Sequence, residues 1–151
     1  MRGQFKEHTR LRAFYRHLRG VFVFGSFTLN TVFWFVPILV LAIVKLLLPL
    51  PALRRGITRL LMAMGETWVG LNSAILAKAG SIDWRATGVD ALRRDDWYLV
   101  MANHQTWVDI LVLQKVFNRR IPFLKFFIKQ QLIWFPFLGI AWWALDMPFM
   151  K

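Results

Sequence analysis

From Gly20 to Val44 the chain carries no charged side chain. As one straight helix this run would be about 38 Å long, more than a hydrocarbon core of about 30 Å requires. As the core helix of a soluble domain it would be unusually long and apolar on every side. It exceeds the apolar part of a signal peptide, and no small-residue cleavage site accompanies it. Insertion into a membrane is the expectation.

Charge gathers on both sides of the run. Ahead of it stand Arg2, Lys6, Arg10, Arg12, Arg16 and Arg19 against Glu7; behind it come Lys45, Arg54, Arg55 and Arg59. The positive-inside rule would keep both flanks on one side, which a single span cannot do. Asn30 and Pro37 are candidate break points, so the run reads as a shallow helical hairpin or a re-entrant segment. Composition agrees with lipid: hydrophobic residues make up 57% of the 151 residues, with mean hydropathy +0.44, more apolar than an ordinary soluble domain. The net charge of +12 calls for an anionic partner. The basic residues flank apolar runs rather than line a soluble recognition element, so anionic membrane lipid is expected and nucleic acid is not.

Pro49-Leu50-Pro51 marks a break. From Ile57 to Ala79 the pattern is helical, with Leu60, Met64, Trp68, Leu71 and Ile75 on one stripe. Arg59, Glu66, Ser73 and Lys78 fall on other faces, and Gly80 suits the C-cap. Three regions follow: residues 1–50, a basic N-terminus with a membrane-embedded helix or hairpin; residues 51–80, an amphipathic helix; and residues 81–151. In the last, 82–87 and 97–102 read as strands around the charged turn Arg93-Arg94-Asp95-Asp96. A helix follows over 106–117, closed by Asn118-Arg119-Arg120, and then a strand over 123–128. Pro136 can open a short helix running to Leu145. Strand, helix and strand at this spacing imply a parallel crossover, hence a small α/β sheet.

The chain contains no cysteine, which removes disulfides, zinc thiolate sites and a cysteine acyl-enzyme. Serine occurs only at Ser26, Ser73 and Ser81, and histidine only at His8, His17 and His104. Neither a serine triad near His104 nor a histidine metal cluster is expected, and no cofactor is implied. The chemistry concentrates instead in Asn103-His104-Gln105-Thr106-Trp107-Val108-Asp109, where an apolar strand gives way to a helix. Asp109 has two readings. With Thr106 it has the spacing of a capping box; it can also hold one imidazole nitrogen of His104 while the other takes a proton from a substrate. The two roles can coexist.

This block resembles the His-x-x-x-x-Asp motif of the glycerolipid acyltransferases, the lysophosphatidic acid acyltransferase family. Ile82 to Asp90 is similar to that family's first strand and glycine-containing turn. Lys129-Gln130-Gln131-Leu132, with Pro136 and Gly139, is similar to its Lys-x-x-Leu-x-x-x-Pro-x-x-Gly pattern. The resemblance runs from about residue 82 to the C-terminus. It implies an α/β fold in which N-terminal membrane-associated helices precede the first part of a glycerolipid-acyltransferase-like domain. The implied activity moves a fatty acyl group from acyl-CoA or acyl-carrier protein to the free hydroxyl of a lysophospholipid such as 1-acylglycerol 3-phosphate. The implied location is a bacterial inner membrane, with the catalytic part on the cytoplasmic face.

His104 and Asp109 are then the expected catalytic residues, with Lys129 a possible phosphate contact. Phe123, Phe126, Trp134, Phe137, Trp142 and Trp143 are candidates for an acyl groove, or equally for core and membrane contact. The family's next blocks, an Arg and a Glu-Gly-Thr-Arg run, have no counterpart here; the only glutamates are Glu7 and Glu66. A fragment of a longer enzyme, or a degraded relative, is therefore expected, inactive by itself. The alternative reading is a non-catalytic membrane module.

Overall fold

A computed structural model describes residues 2–48, 50–80, 85–103, 105–135 and 138–151, without the side chains of residues 2–10 and 107. Two long helices open the chain: α1, Arg2–Leu47, and α2, Pro51–Lys78. Helix α1 runs unbroken through Asn30 and carries Pro37 inside it, so the expected break within residues 20–44 does not occur. Helix α1 ends at Leu47 instead, and α2 starts at Pro51. Leu50 is extended (φ −79, ψ 115) and Pro51 opens α2. A residue before proline is pushed out of the helical region, and proline at the first helical position forfeits no hydrogen bond. The hairpin exists, but its second helix opens at Pro51 rather than within residues 20–44.

Contacts fix the hairpin as antiparallel. Near the turn, Ile38 and Ala42 of α1 pack with Ile57, Leu61 and Met64 of α2. Farther along, Asn30 donates to the Trp68 carbonyl (3.1 Å) and to Asn72 Oδ1 (2.9 Å), and the Trp68 indole donates to Thr31 (3.2 Å). The buried face of α2 comprises Ile57, Leu61, Met64, Gly65, Glu66, Val69 and Asn72. That stripe is rotated from the expected one, leaving Leu60 and Leu71 half exposed. Glu66, assigned above to another face, is buried. Helix α2 ends at Gly80, whose φ of +61 is the left-handed conformation glycine adopts without strain.

Helix α3, Trp107–Phe117, follows, and then a strand β1, Ile128–Lys129. A 3-10 turn, Gln130–Trp134, and helix α4, Leu138–Ala144, lead to β2, Phe149–Met150. The two strands pair in parallel, Ile128 opposite Phe149, so α4 lies on the crossover. The main core lies where Ala141, Ala144 and Leu145 meet the turn end of the hairpin. A buried lysine joins them: Lys45 Nζ donates to the Ala144 carbonyl and to Asp146, each at 2.8 Å, and lies 5.4 Å from the Trp143 ring.

The described chain is thus mostly helical with a two-stranded sheet, smaller than the α/β sheet expected. Residues 97–102 form no strand among the described residues, with Trp97 98%, Leu99 76% and Met101 86% exposed. Residues 85–87 form no strand, and residues 82–84 lie outside the described residues. Of the strand expected over 123–128, only Ile128 pairs. The crossover therefore involves α4 rather than α3.

Candidate functional site

Helix α3 begins at a reciprocal cap. Thr106 is extended (φ −145, ψ 162), and Asp109 completes the capping box. Asp109 Oδ2 accepts from the backbone N–H of Gln105 at 2.6 Å and of Thr106 at 2.7 Å. First-turn N–H groups have no partner within their own helix, and a carboxylate beside them also complements the positive end of the helix dipole. The capping reading of Asp109 is therefore realised. Its oxygen grips the two residues that follow His104 in sequence. His104 itself lies outside the described residues, as does Pro136.

Asp109 is half-buried on the wall of an open cavity of 1010 Å³. Tyr98, Leu99, Val100 and Ala102 line one side, Ile110 and Leu113 of α3 another, and Ile121 to Phe127 a third. Thr58, Arg59, Met62, Ala63 and Glu66 of α2 close the floor. Most of the lining residues are apolar, with the charged Arg59, Glu66, Arg94, Asp95, Asp109 and Lys125 among them.

Two devices hold these walls together, and neither was apparent in the sequence. Arg94 Nη2 donates to both carboxylate oxygens of buried Glu66 at 2.7 Å, with Arg119 Nε 4.0 Å from the same group. Asn118, at the end of α3, donates to the Glu66 carbonyl at 3.1 Å. The charged turn at 93–96 is thus pinned to α2. Second, the ring of Phe123 lies so close to Gly65 that a Cβ there would stand 2.8 Å from it. A glycine on a helix face is the signal that could have suggested this approach.

Of the expected acyl-groove residues, Phe123 and Phe126 line the cavity. Trp134 is 84% exposed, and Trp143 packs at the hairpin turn against Lys45 and Arg54. Trp142 is half-buried in α4, away from the lining, and Phe137 lies outside the described residues. Lys129 is exposed in β1, beyond the stretch that lines the cavity; Lys125 is the lysine on its wall. No group of three or more His, Asp or Glu residues that could hold a metal occurs among the described residues.

The acyltransferase family model matches residues 83–151. The matched segment begins just after α2, contains the His104–Asp109 block, and is consistent with a glycerolipid-acyltransferase-like family. It supports an acyltransferase function in general, with an acyl donor and a lipid acceptor. No curated protein and no solved structure matches the chain.

The acyltransferase segment also supplies a physical reason for one position of the Pro-x-x-Gly pattern. A Cβ on Gly139 would overlap the backbone carbonyl of Ile133. Only glycine lets α4 start against the 3-10 turn.

Proposed function

We propose that this protein transfers a fatty acyl group from a thioester donor, acyl-CoA or acyl-carrier protein, to the free hydroxyl of a lysophospholipid. The observation that carries this reading is the acyltransferase match over 83–151 around a block whose carboxylate is capped onto the loop after His104. His104 takes the proton of the acceptor hydroxyl, and the oxygen attacks the thioester carbonyl. The carbon–sulfur bond then breaks, and the thiolate leaves with the proton returned to it. Asp109 fixes the loop by its cap and orients the imidazole. The cavity beside Asp109 has the apolar lining an acyl chain needs.

The location is part of the same proposal. Both α1 and α2 contain stretches long and apolar enough to cross a membrane. Yet Glu66, midway along α2, is ion-paired with Arg94 and Arg119 of the acyltransferase segment. An upright hairpin would carry those guanidinium groups to the depth of the hydrocarbon, at a cost of several kcal/mol, roughly. The hairpin is instead embedded from one side by the outer face of α1, with the acyltransferase segment on the cytoplasmic face of a bacterial inner membrane.

His104→Ala tests the chemistry, measured with a labelled acyl donor and lysophosphatidic acid in a form of the protein that wild type turns over. Loss of about 10² to 10⁴ in rate is expected, with an unchanged thermal unfolding curve. Retention of most of the activity would exclude His104 as the base.

A further inference from the structure

Helix α1 is much longer than its partner. It has 46 residues and α2 has 28, and their pairing, with Asn30 at Asn72, brings the end of α2 at Lys78 level with about residue 24 of α1. Residues 2–19, roughly 27 Å of helix, therefore project past the end of α2, with no helix beside them among the described residues. Leu11, Phe14, Tyr15 and Leu18 are 48%, 59%, 67% and 49% exposed. At helical spacing they continue the outward stripe of the hairpin, on which Leu29, Phe33, Val36 and Val40 stand exposed.

Arg12, Arg16 and Arg19 are exposed too, and they lie about 100° around the helix from the centre of that stripe. The projecting segment holds six basic residues against Glu7 alone. The embedded run that follows it has no charge. One helix thus changes from apolar on every side to apolar on one side and cationic along the flank. An interfacial helix has this construction: aromatic and aliphatic residues enter the acyl boundary while long basic side chains reach the phosphates.

We propose that residues 2–19 form an arm that docks on anionic phospholipid, so that the surface charge of the membrane decides whether the arm lies down. This rests on the hairpin being embedded, as proposed above. The occupant is the headgroup layer of a bilayer, chosen by charge complementarity. The hairpin holds the protein on any bilayer, whereas the arm engages only one bearing negative lipid. Each arginine adds about fivefold to partitioning near such a surface, so the three together shift the docked-to-free ratio roughly a hundredfold.

The absence of cysteine allows a direct test with single-cysteine variants of the full chain. Phe14→Cys and Val36→Cys are labelled with an environment-sensitive fluorophore and reconstituted into phosphatidylcholine vesicles, with and without phosphatidylglycerol. A lipid-attached quencher reports depth. The label at position 36 should be quenched in both membranes. The label at position 14 should be quenched only with phosphatidylglycerol, and that quenching should vanish in high salt or in Arg12→Gln/Arg16→Gln/Arg19→Gln. Equal quenching at position 14 in both membranes, or in neither, overturns the proposal, as does indifference to the triple substitution. A label at position 36 that is quenched in neither membrane would overturn the embedded hairpin itself, which separates the two failures.

Discussion

Helices α1 and α2 close their own backbone hydrogen bonds, whereas residues 97–102 and 122–127 leave theirs to whatever lies beside them. The hairpin is stitched internally by Asn30, Trp68 and Asn72 and packed at its turn end around Leu61, which is fully buried. The matched segment has a parallel ladder of two residue pairs and a run without secondary structure, Trp97–Ala102, that is largely exposed. The physical difference is one of range. A helix satisfies its ladder within four residues, while a strand must wait for a neighbour. The segment is held by α4, packed on the turn end of the hairpin, and by ion pairs and a close approach to α2 rather than by a sheet.

Backbone amide exchange would break that comparison most directly. Amides around Ala42 and Leu61, in the buried core of the hairpin, should exchange at least about 10³-fold more slowly than those of Leu99 and Met101. Protection of residues 97–102 equal to that of the hairpin would show that a strand lies against them in solution.

The next largest effect falls on the crossover. Gly139→Ala places a methyl group on the Ile133 carbonyl, and a backbone neighbour cannot rotate away. We expect a loss of about 3 kcal/mol, measured by thermal unfolding in detergent, because α4 must move off the 3-10 turn. A neutral result would mean that α4 does not pack there. Smaller and asymmetric effects are expected at the ion pair that ties the turn at 93–96 to α2. Arg94→Ala leaves the buried Glu66 with only Arg119 at 4.0 Å and should cost about 2 kcal/mol. Glu66→Gln leaves exposed arginines that water can solvate, and should cost about half as much. The reverse order would mean that Glu66 is not the desolvated partner.

Local rules account for what was legible in the sequence. The helix start at Pro51, the Gly80 cap and the Thr106–Asp109 box each depend on residues within a few positions of one another, and each appears in the structure. Long-range relations were not legible. Glu66 meets Arg94 28 residues away and Lys45 meets Asp146 101 residues away, and no pattern in one sequence pairs them. The strands at 97–102 and 123–127 failed for a related reason: apolar, aromatic-rich composition reports a tendency to pair but does not supply the partner. Of the candidate site, Asp109 stands on the cavity wall with Phe123 and Phe126, while Lys129 stands outside it. Cap spacing pointed to Asp109. The motif resemblance pointed to Lys129, whereas no local pattern marked Lys125 as the lysine on the wall.

The smallest expected stability effect is the one that best separates structure from chemistry at Asp109. Its Oδ2 accepts from Gln105 and Thr106, and an asparagine keeps a side-chain oxygen in that position. Asparagine ranks with aspartate among residues that bond the first turn, so Asp109→Asn should retain the cap and lose only the charge–dipole contribution, about 0.5 kcal/mol. Asp109→Ala removes the acceptor as well and should cost about 1 kcal/mol or more. Acyl transfer should not follow that order. If Asp109 also orients His104, the asparagine, with a neutral amide facing the imidazole, should lose most of the activity while remaining folded. Thermal unfolding and transfer rate measured on the same two variants decide the point. An Asp109→Asn protein that is both stable and fully active would reduce Asp109 to a helix cap, and His104 would then need another orienting group.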